Sequence, residues 1–366
     1  MSHIRLPVGY RFIPLTAEHT YATHQWIWDG IVDVRQETDL HDAGWNMPGH
    51  GDGWAHEFHN PNDSIQRLGV VLHGEDGSLD TVVAYAGADM PATANLTTAG
   101  LYVRVRPTHR RQSLGGSLLG WVQEIASQAG RCALTGTSTL PELRPGQPSL
   151  NPATGVGQAA LTDGVVFLSN RGWALEQVER RSALTLPVDP DLLDRLLGQA
   201  QAKAQDYRIH HFDTVPAQQW LDQYATLMSA MDTDAPSGDL EWEEDAWDGH
   251  KVRKMFQDLL DTGYAMSLVI AEHIPIGSIA GASELIWHKT PGYPVEQEDT
   301  IVLEEHRGHR LGMLLKVSNL QHLARMYPQA PLVSTHNAEE NSHMLAINIA
   351  LGFVPAGGEA EFQIRL

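Results

Sequence analysis

Two short stretches bring arginine and glycine together where an apolar run ends: Arg110-Arg111-Gln112-Ser113-Leu114-Gly115-Gly116 and Arg307-Gly308-His309-Arg310-Leu311-Gly312. Each follows a β-type segment, with Val103 and Val105 before the first and Val302 and Leu303 before the second, and each opens a helical pattern. Free amides at a helix start, with the helix dipole behind them and a guanidinium beside them, suit an anionic phosphate. Glycine there lets the backbone come close to a ligand. Three carboxylates, Glu284, Asp299 and Glu304, lie on the segments that lead into the second turn. A carboxylate so placed can take a proton from an incoming nucleophile, directly or through a water.

The elements around these residues read the same way twice. An opening strand (Arg11 to Leu15; Arg208 to Phe212) precedes a helical stretch and two apolar strands joined by a polar turn. A further strand runs into the arginine turn and its helix, then another strand and a short helix ending in Arg-Gly-Trp or Leu-Gly-Phe. This order predicts a mixed α/β fold, each copy a central mixed sheet flanked by helices.

The repetition is close in register. Tyr10 and Tyr207, His109 and His306, Arg110 and Arg307, Leu114 and Leu311, and Gly115 and Gly312 all stand 197 residues apart. Further on, Gly172 answers Gly352 at a spacing of 180, so the first copy carries 17 extra residues, placed in the Pro- and Gly-rich stretch 137–158, which predicts an irregular loop. The copies take residues 1–186 and 206–366, joined by a helical connector at 187–205 that starts near Pro190. At the same spacing, Glu284, Asp299 and Glu304 face Gly87, Tyr102 and Pro107. The carboxylates occur only in the second copy, which predicts the chemistry there, with Glu284 as the leading base. The first copy is then structural, a weak binder of the same cofactor, or a site of different use.

The arginine turns resemble the signature of the GNAT superfamily of acyl-CoA-dependent N-acyltransferases, Arg/Gln-x-x-Gly-x-Gly/Ala, with Ser113 and Arg310 in place of its first glycine. The tandem arrangement is similar to that of the mycothiol synthase group. The resemblance covers nearly the whole chain and implies acetyl-CoA or another acyl-CoA, with its pyrophosphate on the turn and its pantetheine along Val302 and Leu303 or Val103 to Val105. It implies a CoA contact at Asn341 and a small amine as acceptor. The family's tyrosine, five residues before the aromatic of the Gly-Phe pair, is Asn348 here and Leu168 in the first copy. Binding of acyl-CoA without transfer is the other reading these residues allow.

The acidic segment 231–247 precedes the second strand of the second copy. Asp234, Asp239 and Glu241 beside Trp242 could hold a cationic amine by charge and an aromatic face. The formal net charge of -20 disfavours nucleic acid and anionic membranes as partners, and a homodimer is left open. His41, His50, His56 and His59 match no zinc spacing, so no metal is expected. The single Cys132, on a predicted strand, reads as a small core residue, and one thiol suits a reducing compartment. Without an apolar run long enough for a signal or a membrane span, the chain reads as cytoplasmic.

Overall fold

The computed structural model describes residues 4–46, 48–60, 64–234, 238, 240 and 246–366. They form two compact units, the first of residues 4–179, 238, 240 and 357–366, the second of residues 180–234 and 246–356.

In the first unit, β1 (Tyr10–Pro14), α1 (Tyr21–Ala43), α2 (Gly51–His59), β2 (Ser64–His73), β3 (Val82–Pro91), β4 (Thr98–Val105), α3 (Leu114–Gln128) and β5 (Ala133–Leu140) follow in order. A two-residue ribbon, β6 (Ser149–Leu150) with β7 (Ala159–Ala160), precedes α4 (Asp163–Ser169) and the first half of β8 (Ala174–Thr185). The sheet is antiparallel through β1, β2, β3 and β4, whereas β4 and β5 are parallel. Thr20 caps α1 through its hydroxyl, which accepts from the Thr23 amide at 3.3 Å, and Gly44 ends it at φ 76°. One face of the sheet is buried under α1 by Trp28, Ile31, Val70 and Leu72, the other under α3 by Val71, Leu118, Val122 and Phe362.

In the second unit, the rest of β8 leads to α5 (Pro190–Gln201), β9 (Tyr207–Phe212), α6 (Gln218–Asp234), α7 (Gly249–Asp261), β10 (Tyr264–His273), β11 (Ser278–His288), β12 (Val295–Val302), α8 (Leu311–Met326), β13 (Leu332–Ala338), α9 (Ser342–Leu351) and the start of β14 (Val354–Arg365). The sheet order is β13, β12, β11, β10, β9, again with one parallel pair, β12 with β13. The connector helix starts at Pro190, and the Asp189 side chain accepts from the Asp191 amide at 3.0 Å.

Both parallel pairs are short. β4 meets β5 only at Thr98 to Gly100, and β12 meets β13 only at Val295 and Glu296. Beyond these residues each pair parts into a wedge with an arginine turn at its head.

The copies and the compact units differ at the end of the chain. Residues 358–365 of β14 pair antiparallel with the whole of β5, so the last strand of the second copy completes the sheet of the first unit. Stretch 137–158 is less irregular than its composition implies, because β5 runs on to Leu140 and the small ribbon follows. Cys132 is exposed, just ahead of β5, and is not a core residue. Among the described residues no helix is long and apolar enough to cross a membrane.

Candidate active site

Each turn is anchored by a tyrosine of the unit's first strand. The Tyr10 hydroxyl lies 2.9 Å from Nδ1 of His109 and donates to Oε1 of Gln112 at 2.8 Å, and the Tyr207 hydroxyl lies 3.0 Å from Nδ1 of His306. A second histidine packs tilted against the tyrosine ring in both units, His73 on Tyr10 at 4.8 Å and His273 on Tyr207 at 5.1 Å between ring centroids. Burial and the neighbouring His273 hold the His306 pKa below its usual value, and a neutral imidazole can accept the phenol proton.

The turns keep a glycine-like backbone without the signature glycine. Ser113 has φ 65° and Arg310 φ 58°, each immediately before its helix, and Arg111 (φ 60°) matches Gly308 (φ 83°). The left-handed conformation costs a non-glycine residue about 1–2 kcal/mol. It sets the amides of the first helical turn at the mouth of the wedge, where a diphosphate fits.

The guanidinium groups differ between the units. In the first, Arg110 makes a two-pronged bond to Asp42, both distances 2.7 Å, and reaches Asp163 at 3.3 Å, while Arg111 reaches Asp163 at 3.2 Å. Burial alone raises the Asp42 pKa, but the bonds from Arg110 and His41 outweigh it and hold the carboxyl below the usual range. These carboxylates sit in a cavity of about 440 Å³ that runs along the wedge from Val103 and Val105 past the turn to Thr137 and Phe167. In the second unit, Arg307 Nε donates to the Val302 carbonyl at 3.2 Å and Arg310 to Oε1 of Gln199 at 3.2 Å.

The strands below the turns diverge further. β3 and β4 pair without interruption from Ala84 with Val105 to Asp89 with Gly100. In β12 an extra residue makes a bulge: Ser283 faces Thr300 and Leu285 faces Gln297, so Glu284 stands opposite Glu298 and Asp299 together. The Gln297 amide donates to the Glu284 and Glu298 carbonyls and to Ser283 Oγ. Asn319 of α8 donates to the carbonyls of Ser267 and Ser283, each at 3.0 Å, and accepts from Ser267 Oγ at 2.6 Å. In the first unit the residues 197 positions earlier are Val122 for Asn319 and Val70 for Ser267, both buried.

Glu284 is 8% exposed, and its buried Oε1 has no hydrogen-bond partner. Burial, Asp299 and Glu298 push its pKa well above the usual carboxylate range. Glu298 is exposed on β12. The protein packed around it, a hydrogen bond and charge from Glu296, and Asp299 push its pKa up to about 7. In the first unit Gly87 lies directly opposite Tyr102, and a methyl group added at Gly87 would stand 2.2 Å from the Tyr102 hydroxyl. The tyrosine ring fills the space that a Glu284 side chain would need.

Lys316 on α8 is 2% exposed and donates to Oδ1 of Asn348 at 2.8 Å, while Asn348 donates to Oδ1 of Asn337 on β13 at 2.8 Å. Burial pushes the Lys316 pKa down to about 7. Its counterpart in the first copy is the buried Leu119.

The structure thus gathers Glu284 and Asp299 at the bulge and leaves Glu304 on an exposed turn past the end of β12. Val302, Leu303, Arg307, Gly308, His309, Arg310, Leu311 and Gly312 surround the head of the second wedge. Asn341 caps α9, its Oδ1 accepting from the Met344 amide at 3.2 Å. Asp234 ends α6, and Asp239, Glu241 and Trp242 lie outside the described residues. Sequence reasoning missed Glu298, Gln297, Asn319 and Lys316. Three carried a signal, since Glu298 neighbours Asp299 and polar Asn319 and Lys316 answer apolar residues in the first copy. Among the described residues no group of His, Cys, Asp and Glu side chains is arranged to hold a metal ion.

No protein-family model and no curated protein matches the chain. Solved structures do. A tandem GNAT protein from the clavulanic acid biosynthesis pathway is similar over 97% of this chain and 98% of its own, with a TM-score of 0.72 and 22% identity. A GCN5-related N-acetyltransferase from Sphaerobacter thermophilus is similar over 99% of this chain and 97% of its own, with a TM-score of 0.56 and 15% identity. The N-myristoyltransferase of Saccharomyces cerevisiae, solved with myristoyl-CoA and inhibitors, is similar over 99% of this chain and 81% of its own, with a TM-score of 0.57 and 12% identity. With two wedges, two arginine turns and this likeness along its whole length, the chain has the tandem fold of the GCN5-related N-acetyltransferases.

Proposed function

We propose that the chain is an acyl-CoA-dependent N-acyltransferase acting on a small amine, with acetyl-CoA the expected donor and the chemistry in the second copy. The buried, unpartnered Oε1 of Glu284 at the β12 bulge carries this reading. A carboxylate is kept there, at a cost in desolvation, in a place where the first copy has glycine.

The residues at the second wedge fit an acyl-CoA. The amides after Arg310 and the guanidinium of Arg307 would hold the diphosphate, and the unpaired edge of β12 would accompany the pantetheine chain. Acyl-CoA supplies an activated thioester carbonyl. Glu284, made a stronger base by its burial, takes the proton from the ammonium so that the free amine can attack; the C–N bond forms, the C–S bond breaks, and the departing CoA thiolate takes up a proton from solvent. An amide of the bulged strand can stabilise the charge on the carbonyl oxygen. In the first copy Asp42 and Asp163 compete with a diphosphate for Arg110 and Arg111.

Asn348 favours a second reading, a protein that binds acyl-CoA without turnover. It stands where a phenol is expected, and its amide is already engaged with Lys316 and Asn337. Release of CoA thiol from acetyl-CoA with a panel of amines separates the two. The transferase reading expects release that collapses in Glu284→Gln. Tight CoA binding by calorimetry with no release from any amine would leave only the second.

A further inference from the structure

We infer that the Lys316 ammonium pairs with the sulfur of coenzyme A as a thiolate, the form in which it leaves when the acyl group is transferred. The inference rests on the transferase reading for the place of the acyl-CoA. Lys316 of α8 is 2% exposed, donates to Oδ1 of Asn348 at 2.8 Å, and lies 5.7 Å from the centre of the Phe353 ring. Asn348 of α9 donates in turn to Asn337 of β13. Both neighbours of the lysine nitrogen are neutral, and among the described residues this buried cation meets no carboxylate.

The repeat identifies what this trio borders. Lys316 answers Leu119 at the 197-residue spacing, and Asn348 answers Leu168 at the 180-residue spacing. Val333 lies opposite Val295 as Ala133 lies opposite Thr98, so Asn337 answers Thr137. Leu119, Thr137 and Leu168 all line the cavity of the first wedge. The second wedge carries an ammonium and two amides at the same three places. Asn337 comes three residues after Ser334, and Glu298 and Asp299 come two and three after Glu296, its partner in the last parallel pair. The trio therefore stands across the wedge from the bulge that holds Glu284. A base on one wall and a cation on the other suit the two charges the reaction moves. Glu284 takes the proton of the acceptor ammonium, the C–N bond forms, and the C–S bond breaks with its electron pair left on sulfur. Lys316 holds that negative charge until solvent protonates the sulfur. Burial pushes the Lys316 pKa down to about 7, and an anion beside it restores the charge.

The test is the ultraviolet absorbance of the thiolate in protein saturated with CoA at pH 7, measured against protein saturated with desulfo-CoA, which lacks the sulfur. A free thiol is mostly protonated at that pH, and the bound sulfur should give a band roughly fivefold or more above that of free CoA. Lys316→Met should still bind CoA by calorimetry and should lose the band. Asn348→Asp, which gives the ammonium a carboxylate of its own, should lose it too, and decides the matter alone if Lys316→Met does not fold. In thiol-release assays Lys316→Met should lower kcat about tenfold or more with little change in the KM for acetyl-CoA, because the charge is met only as the C–S bond breaks. A wild-type complex without the band, or a band that persists in the variants, overturns this inference and leaves the transferase reading intact. A lysine-dependent band with no thiol release from any amine supports the ion pair and overturns the transferase reading instead.

Discussion

The hydroxyl of Tyr207 lies 3.0 Å from Nδ1 of His306, tying the first strand of the second unit to the short turn that ends in Arg307. The first unit repeats the tie between Tyr10 and His109 at 2.9 Å. Sequence-distant residues thereby fix the backbone from which the amides of the first helical turn project.

Removing that tie should loosen the turn without emptying the core. Tyr207→Phe keeps the ring and deletes one hydrogen bond, a loss of about 1 kcal/mol in stability. CoA affinity should fall several-fold, and calorimetry beside thermal denaturation checks both effects. Unchanged affinity would show that the turn holds its shape without the phenol.

Asp42→Ala should strengthen anion binding in the first unit. The two-pronged bond from Arg110 now satisfies the guanidinium internally, and its loss leaves that charge available to a diphosphate. Titration with CoA should change from one site to two. Arg307→Ala in the wild-type background should remove most of the binding.

Glu284→Gln should lower the rate of thiol release by about a hundredfold or more, the usual contribution of a general base. The same change should not destabilise the protein, because it replaces a buried group that ionises at a cost. In the wild type the Glu284 carboxyl, held well above the usual range by burial, Asp299 and Glu298, must lose its proton to act as the base. The kcat/KM should therefore rise with pH, and Glu298→Gln, which removes a neighbouring charge, should move that rise to lower pH.

Lys316 should weaken the fold at neutral and acidic pH. Its folded pKa is lowered to about 7 from 10.5, so between those values the unfolded chain binds more protons and stability increases with pH. Below about pH 7 the full penalty is present. Lys316→Leu, which installs the first copy's residue, should raise the denaturation midpoint at pH 7 and lose that advantage progressively toward pH 10. If the variant is more stable and less active, the lysine is retained for the reaction.

Much of this was legible in the sequence because the fold occurs twice. The 197-residue spacing located both arginine turns, the connector helix and the carboxylates of the second copy. It did not reveal the β12 bulge, since the spacing is 197 at both Tyr207 and Arg307 and the bulge shows only as a slip in pairing between Ser283 and Leu285. Nor could it show that Tyr102 covers Gly87, because nothing local distinguishes a strand tyrosine that faces solvent from one that fills a missing partner's place. Glu298 sits beside Asp299 in sequence, yet only the bulge places both against Glu284. Cys132 read as internal from its place on a predicted strand, yet it stands just ahead of β5 and is exposed.

The pairing of residues 358–365 with β5 has a consequence for biosynthesis. Until residues 358–365 have been synthesised, the first unit waits with one strand edge bare, open to association with other nascent chains. A premature stop before residue 358 would therefore injure the half of this chain made first.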